Sequence, residues 1–506
     1  MLKRLLLPFT RPGIWLAALL LFFSLLYTVI TGCNHYFFRT NAFDYGAYNY
    51  AFWDFAHGHV SPSPVYALVN NINFLQDHFS LTLPLLTPFY WLLNWLTGTY
   101  TLLLIQNILT IWSGWAVYRL VKLKTGDAWL GLAALFSYFV MHSRYSQFSA
   151  DCNLGIMCAA LMPLFLWFFE SGRHRLALGV FVFALLSREN MPVWFIFIFS
   201  VLLLWHWKEK QLVKYCTWYM VVSLVYFILL FKVIIPAFER PGHPYTLFNY
   251  SALGANPLSA GMHMLRHPID SFLLLFQNPT GNPSYDGVKQ EYYLVYLISG
   301  GFMLFFRPTY FIWFLPLLAQ KMWNDLPVRW SIEGYYAIET ATLLPLAALL
   351  ILGELKLPKI RYGIAIMLCI LPLGMTYYKL DARNRKMGWS GTLKENIADP
   401  NFFHGPLQTR KIYEALHQIP PDAPVSASEH LLPHLAQRKG IYFFPDTGDA
   451  VYIAFFTNRD NYMLTPAQYQ DWAGKYLHDP DWKQVTALPG FVLLKRKDIP
   501  ATEPRP

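Results

Sequence analysis

Along the first three-quarters of the chain, apolar runs alternate with short polar stretches. The runs cover 13–31, 79–96, 100–118, 128–141, 154–169, 176–186, 191–207, 215–235, 292–306, 310–318, 340–353 and 362–378. A helix that crosses a bilayer needs about 20 apolar residues, fewer where neighbouring helices bury it. The pattern therefore predicts an α-helical polytopic membrane protein. Past Asp381 the period changes. Segments 425–428, 441–444, 451–456 and 491–495 read as short strands, and 430–437 and 466–477 carry helical spacing. A membrane domain over 1–378 is thus followed by a small soluble α/β domain over 379–506.

Basic residues set the expected orientation. Lys3, Arg4 and Arg11 precede the first run, which places the N-terminus in the cytoplasm. If 79–96 lies on the outer face without crossing, Arg119/Lys122/Lys124, Arg173/Arg175, Lys208/Lys210/Lys214, Arg307 and Lys356/Lys359/Arg361 all fall inside. A crossing there would send every one of these clusters outside, against the positive-inside rule. Pro84 and Pro88 also suit a bent helix on the surface. The non-crossing solution gives about eleven spans and an extracytoplasmic C-terminal domain. It makes 34–78 the first outer loop and 236–290 a long outer loop that reads equally as a lid, with Gly242-His243-Pro244-Tyr245, or as a connector.

Composition narrows the class. Hydrophobic residues make up 55% and charged residues 14%, against about 25% charged in an average soluble domain. This excludes a cytosolic enzyme, a secreted domain and a disordered chain. The net charge is +10, yet residues 379–506 hold 16 basic and 14 acidic side chains, so most of the excess lies in the membrane part. Basic clusters between spans account for it, and no nucleic-acid partner is needed. The five cysteines, Cys33, Cys152, Cys158, Cys216 and Cys369, show no metal-binding spacing and read as small core residues. Ile30-Thr31-Gly32-Cys33 looks like a lipoprotein cleavage box. The run before it is longer than a signal-peptide core of about 7–15 residues, so it reads as a retained span.

The same topology gathers Asp44, His57, Asp77, His78, Arg144, Asp151, Arg188, Glu189, Glu333 and Glu339 on the outer side. Ionisable groups at membrane depth are costly and tend to be functional. In the first outer loop, Tyr45, Tyr48, Phe52 and Phe55 recur at helical spacing, which predicts an amphipathic helix lying on the membrane face and stopped by Gly58. By position alone, Asp44 reads as the N-cap of that helix.

A set of short strings then stands out. They are Phe43-Asp44-Tyr45-Gly46, Trp53 with His57-Gly58, Asp77-His78-Phe79-Ser80, Pro88-Phe89-Tyr90-Trp91, the stretch 419–428, and Leu432-Pro433-His434-Leu435. Together they resemble the bacterial membrane-protein family called domain of unknown function 2079, over about Phe43 to Pro445. That family is itself similar to the GT-C superfamily of lipid-linked-sugar glycosyltransferases. The resemblance implies a GT-C-like fold in the bacterial cytoplasmic (inner) membrane, working among membrane lipids on a polyprenyl-phosphate sugar donor. Asp44 matches the acidic position of the first outer loop, and would act as general base on an acceptor hydroxyl while polyprenyl phosphate leaves. The leaving phosphate requires fixed positive charge, which arginine supplies bidentately. Arg188, in Ser187-Arg188-Glu189-Asn190, takes that role, with Arg144 as a second candidate.

In the family the Arg188 corner more often reads Lys-Glu-Asp. Arginine keeps the charge, and Asn190 removes an acid or metal ligand. From the residues alone, Arg188 reads equally as an ion-pair partner for Glu189. Asp77, His78, His57 and Asp151 are candidates to position the acceptor, support Asp44 or hold a divalent cation. Glu189, Glu333, Tyr336 and Glu339 are candidates to line the site, although Tyr335 and Tyr336 also read as interfacial anchors. Two other functions compete: a non-enzymatic transporter or binder of lipids or lipid-linked glycans, and a scaffold for envelope partners. A transporter calls for polar residues along a path through the bilayer and often for internal repeats. The one-sided polar residues and the lack of a repeat favour the enzyme.

Overall fold

The computed structural model describes residues 11–65, 72–77, 79–238, 248–355, 360–389, 391–459 and 463–497, without the side chain of Asp77. Lys3, Arg4, His78, Lys356, Lys359 and the 242–245 string lie outside the described residues. The chain is mostly helical. Its main helices are α1 (Pro12–Tyr36), α2 (Ala47–Ala56), α3 (Thr82–Thr97), α4 (Thr101–Thr125), α5 (Ala128–Val140) and α6 (Leu154–Glu170). They continue with α7 (His174–Ser187), α8 (Met191–Trp205), α9 (Lys210–Leu229), α10 (Val288–Ile298), α11 (Ile338–Glu354), α12 (Arg361–Lys379) and α13 (Pro466–His478). Among the described residues, four helical stretches are long and apolar enough to cross a membrane: Pro12–Tyr36, Thr82–Thr125, Lys210–Phe238 and Arg361–Lys379. Others are shorter because the bundle covers them. α11, for example, is buried from Ile338 to Leu352, whereas α1, α9 and α12 expose Leu21, Leu25, Val225, Ile228, Ile366 and Ile370.

The expected runs 292–306 and 310–318 do not form two continuous helices. After α10 the chain makes 3-10 turns over Gly301–Phe306 and Pro308–Trp313, then a short helix, Leu315–Met322. Gly300, Gly301 and Pro308 interrupt the regular ladder there, since glycine weakens and proline breaks a helix interior.

Side-chain contacts define two ends of the bundle. At one, Lys124 and His206 meet Glu170 at 2.8 and 2.9 Å, Arg307 meets Glu354 at 3.0 Å, and Tyr362 donates to Asp127. The described basic clusters therefore collect at this end. At the other end, a five-stranded sheet closes the structure. Its strands are β1 (Val425–Ala427), β2 (Ile441–Phe443), β3 (Tyr452–Phe456), β4 (Trp482–Leu488) and β5 (Phe491–Arg496), in the order β2-β1-β3-β5-β4. β1 runs parallel to β2 and β3, and β5 pairs antiparallel with β3 and β4.

The first-loop helix differs from its expectation. α2 is buried on nearly every face and does not lie on an open surface. Ala42, Ala47 and Tyr50 share one apolar core with Leu416, Val425, Leu432 and Phe443 of the C-terminal unit. Gly46 permits this approach, because a Cβ there would meet Leu432 Cδ2 at 2.6 Å. α3 packs on α2, where Trp91 donates to Ala56, and its far end reaches the C-terminal unit through Asn94 and Gln437 at 3.0 Å. Its contacts thus join the first loop to the sheet end. The long loop is helical over Pro257–Arg266 and Pro268–Leu273, and Trp323 and Lys289 pin its end through Ser271 and Leu274.

A fully buried clamp joins the segment after α12 to the bundle. Arg385 bridges Glu333 at 3.0 Å and Glu395 at 2.5 Å, and Ser146 donates to Glu395. Removing the cation strands two buried carboxylates. Arg385→Ala should therefore cost about 3–5 kcal/mol, read as a large drop in the thermal midpoint of the detergent-solubilised protein.

Candidate functional site

Asp44 lies in a π-helical turn, Ala42–Gly46, that runs straight into α2. It is not the N-cap. That position belongs to Asn41, whose own side chain caps nothing. The open N–H groups go to two distant carboxylates instead: Asn41 N–H donates to Asp151 at 2.8 Å and Ala42 N–H donates to Glu429 at 3.0 Å. Asp44, half-buried, is left out of backbone capping.

Burial pushes the Asp44 carboxyl up to about 7, with Asp151 and Glu429 adding to the effect and Lys394 and Arg329 opposing it. Burial also raises Asp151, against the pull of Lys394 at 3.4 Å. Asp151 holds a left-handed backbone, φ 67°, a conformation that short polar side chains tolerate better than most.

From Asp151 the contacts lead to Arg188. Gln106 donates to the Asp151 carbonyl at 3.2 Å and accepts from Asn153 N–H at 3.0 Å. Asn153 caps α6 and reaches the Tyr48 hydroxyl at 3.4 Å, one helical turn beyond Asp44. Two residues on, Gly155 seats the Arg188 guanidinium: a Cβ at Gly155 would lie 2.7 Å from Arg188 Nη1. Burial pulls the Arg188 pKa down, but Glu189, 3.9 Å away, together with Cys158, Tyr48 and Glu339 more than offsets it and keeps the guanidinium charged. Nearby, Arg329 stacks over the Tyr336 ring at 5.3 Å, and Tyr336 stacks on Tyr335.

The remaining candidates are placed elsewhere. Arg144 is fully buried, stacked over Tyr138 at 4.3 Å and bonded to Gln147 and Thr342. Glu333 belongs to the Arg385 clamp; Glu339 pairs with Lys321 at 2.8 Å but, unlike the others, stays close enough for its charge to act on Arg188. His57 is the exposed C-cap of α2, roughly 20 Å along the helix from Asp44 at 1.5 Å per residue. Asp77 has its backbone in a short helix, Phe74–Asp77. Among the described residues, no group of three His, Cys, Asp or Glu side chains could hold a metal ion. Sequence reasoning missed Tyr48, Asn153, Arg329, Lys394 and Glu429. Tyr48 was hidden in an aromatic stripe, and Lys394 and Glu429 lay in the segment read as a separate soluble domain.

A bundle of apolar helices closed at one end by a polar site and a small sheet defines an integral membrane protein. The chain matches the family described as predicted membrane protein (DUF2079) over residues 34–491 and belongs to it. No curated protein matches it. Among solved structures, it is similar to ArnT from Cupriavidus metallidurans bound to undecaprenyl phosphate. The identity is 12% and the TM-score 0.48, covering 94% of this chain and 97% of that one. It is also similar to the oligosaccharyltransferase AglB from Archaeoglobus fulgidus in complex with an inhibitory peptide and a dolichol-phosphate. There the identity is 11% and the TM-score 0.44, covering 88% and 70%.

The fold disfavours a charged Asp44, so its contribution to stability is whole below the ordinary carboxylate range. It declines as pH rises through about 7. Infrared difference spectra of wild type against Asp44→Asn should show one carboxyl group titrating near that pH. A titration near 4, the ordinary Asp value, would contradict the described environment.

Proposed function

We propose that the protein is a glycosyltransferase of GT-C type, moving a sugar from a polyprenyl-phosphate donor to an acceptor hydroxyl. The reaction takes place at the outer face of the bacterial cytoplasmic membrane, with the N-terminus in the cytoplasm and the sheet outside. Counting each passage between the basic end and the sheet end as a crossing gives about eleven spans. The observation that carries the proposal is the run of contacts from the helix that follows Asp44 to the corner that holds Arg188. A carboxylate poised near neutrality is linked through Tyr48 and Asn153 to a guanidinium held charged in a half-dry corner.

Asp44 takes the proton of the acceptor hydroxyl as its oxygen attacks the anomeric carbon. The bond from that carbon to the phosphate oxygen breaks, and polyprenyl phosphate leaves with the electron pair, inverting the centre. A base with a pKa near the working pH combines a useful ionised fraction with proton affinity, and such catalysis contributes about 10²–10⁴-fold. Arg188 meets the charge that grows on the phosphate, the task for which a fixed cation in a low-dielectric site is effective. Arg329 and Tyr336 line the approach, and the packing of Arg144 leaves the donor phosphate to Arg188.

Asp44→Asn should lower transfer by about 10²-fold or more while insertion and expression persist, measured with purified enzyme and a polyprenyl-phosphate sugar. Arg188→Ala should raise the donor KM more than the acceptor KM. Full activity of Asp44→Asn would sink the base assignment. Donor binding without turnover in the wild type would favour a lipid-linked-glycan binder instead.

A further inference from the structure

The segment after β1 holds the first loop at several points. Glu429 accepts from Ala42 N–H at 3.0 Å, and the His430 ring meets the Thr40 carbonyl at 3.0 Å. Asn49 donates to the Pro433 carbonyl at 3.2 Å, and Gln437 donates back to Asn49 at 2.9 Å. Leu432 fills the space over Gly46. All of these partners lie within residues 428–437, and all of their targets lie within 40–49.

Glu429 supplies the segment's hydrogen bond to the turn carrying Asp44, beside the apolar contact of Leu432 on Gly46. A helix begins with N–H groups that have no partner inside it, and a carboxylate there is favoured by the helix dipole. The Asn41 side chain does not supply the acceptor, so Glu429 and Asp151 do. Glu429 is 5% exposed and sits just past the carboxyl end of β1, a strand flanked on both sides by parallel partners. In open α/β sheets this is where functional side chains collect. The position is fixed from behind, since Ser428 N–H donates to Ala454 and Leu432 N–H to Ser428.

We infer that Glu429 is a positioning residue for Asp44, and that the C-terminal unit thereby completes the catalytic site. This rests on Asp44 being the base. Glu429 fixes where the Asp44 turn begins, and its charge shares the neighbourhood of Asp44 with Asp151, Lys394, Arg329, Tyr335 and Cys152. Asp151 holds the same turn from the bundle side, so the turn is clamped between two parts of the chain. The amide-to-carboxylate bond spans 387 positions in sequence.

Two substitutions separate position from charge. Glu429→Gln keeps an acceptor oxygen for Ala42 N–H and removes the charge; Glu429→Ala removes both. Misplacing a reacting group by about 1 Å costs about 10²-fold, so Glu429→Ala should lower kcat on that scale with little change in donor KM. Glu429→Gln should recover most of the kcat while moving the infrared titration of Asp44 to lower pH, because a neighbouring negative charge has been lost. Wild-type kcat in Glu429→Ala, or an unmoved Asp44 titration in Glu429→Gln, would overturn the inference. The titration needs no turnover, so it answers for Glu429 even if Asp44→Asn proves active and the base assignment fails.

Discussion

The first backbone N–H groups of a helix have to be satisfied from outside it, and in this protein two carboxylates far away in sequence do so for the turn carrying Asp44. Asp151 holds Asn41 and Glu429 holds Ala42. Because those two cap the turn, Asp44 is relieved of the role its position suggests. Through Asp151 the same anchoring extends to Gln106, Asn153 and the start of α6, where Gly155 makes room for Arg188. One continuous set of contacts therefore spaces a carboxylate from a guanidinium.

Electrostatics and packing work together around that set. Asp44, Asp151 and Glu429 are like charges in a poorly solvated region, and Lys394 and Arg329 offset only part of their repulsion. The cations hold the Asp44 carboxyl below where burial and its acidic neighbours would put it, and a tighter ion pair would make Asp44 a weaker base. Lys394 also belongs to the segment after α12 that the Arg385 clamp ties to the bundle. The membrane bundle and the C-terminal unit share an apolar core as well as a polar site.

Much of the architecture was legible in the sequence because its signals are local. Apolar runs gave the helices, basic clusters gave the common end at Glu170, Asp127 and Glu354, and period-2 stretches gave four of the strands. β4 escaped because it is an edge strand with Lys483, Gln484 and Val485 exposed and a register shift after Gln484. The burial of α2 escaped because its cover comes in part from residues 416–443 and in part from α3 and the start of α6, which no local pattern in the first loop reveals. In the site, Asp44 and Arg188 stood out as charges beside apolar runs. Glu429 and Lys394 did not, since both lie in a stretch of ordinary composition and reach Asp44 only through long-range folding. Glu333 and Arg144 looked equally exposed in sequence, and both are consumed by packing.

The central claim is that Asp44 is a base tuned by its surroundings. The pH dependence of kcat/KM for the wild-type enzyme, with a polyprenyl-phosphate sugar at subsaturating concentration, tests it most directly. The rate should climb as pH rises through about 7, where Asp44 loses its proton. A profile that is flat through that range, or already at its plateau near pH 5, would contradict the account.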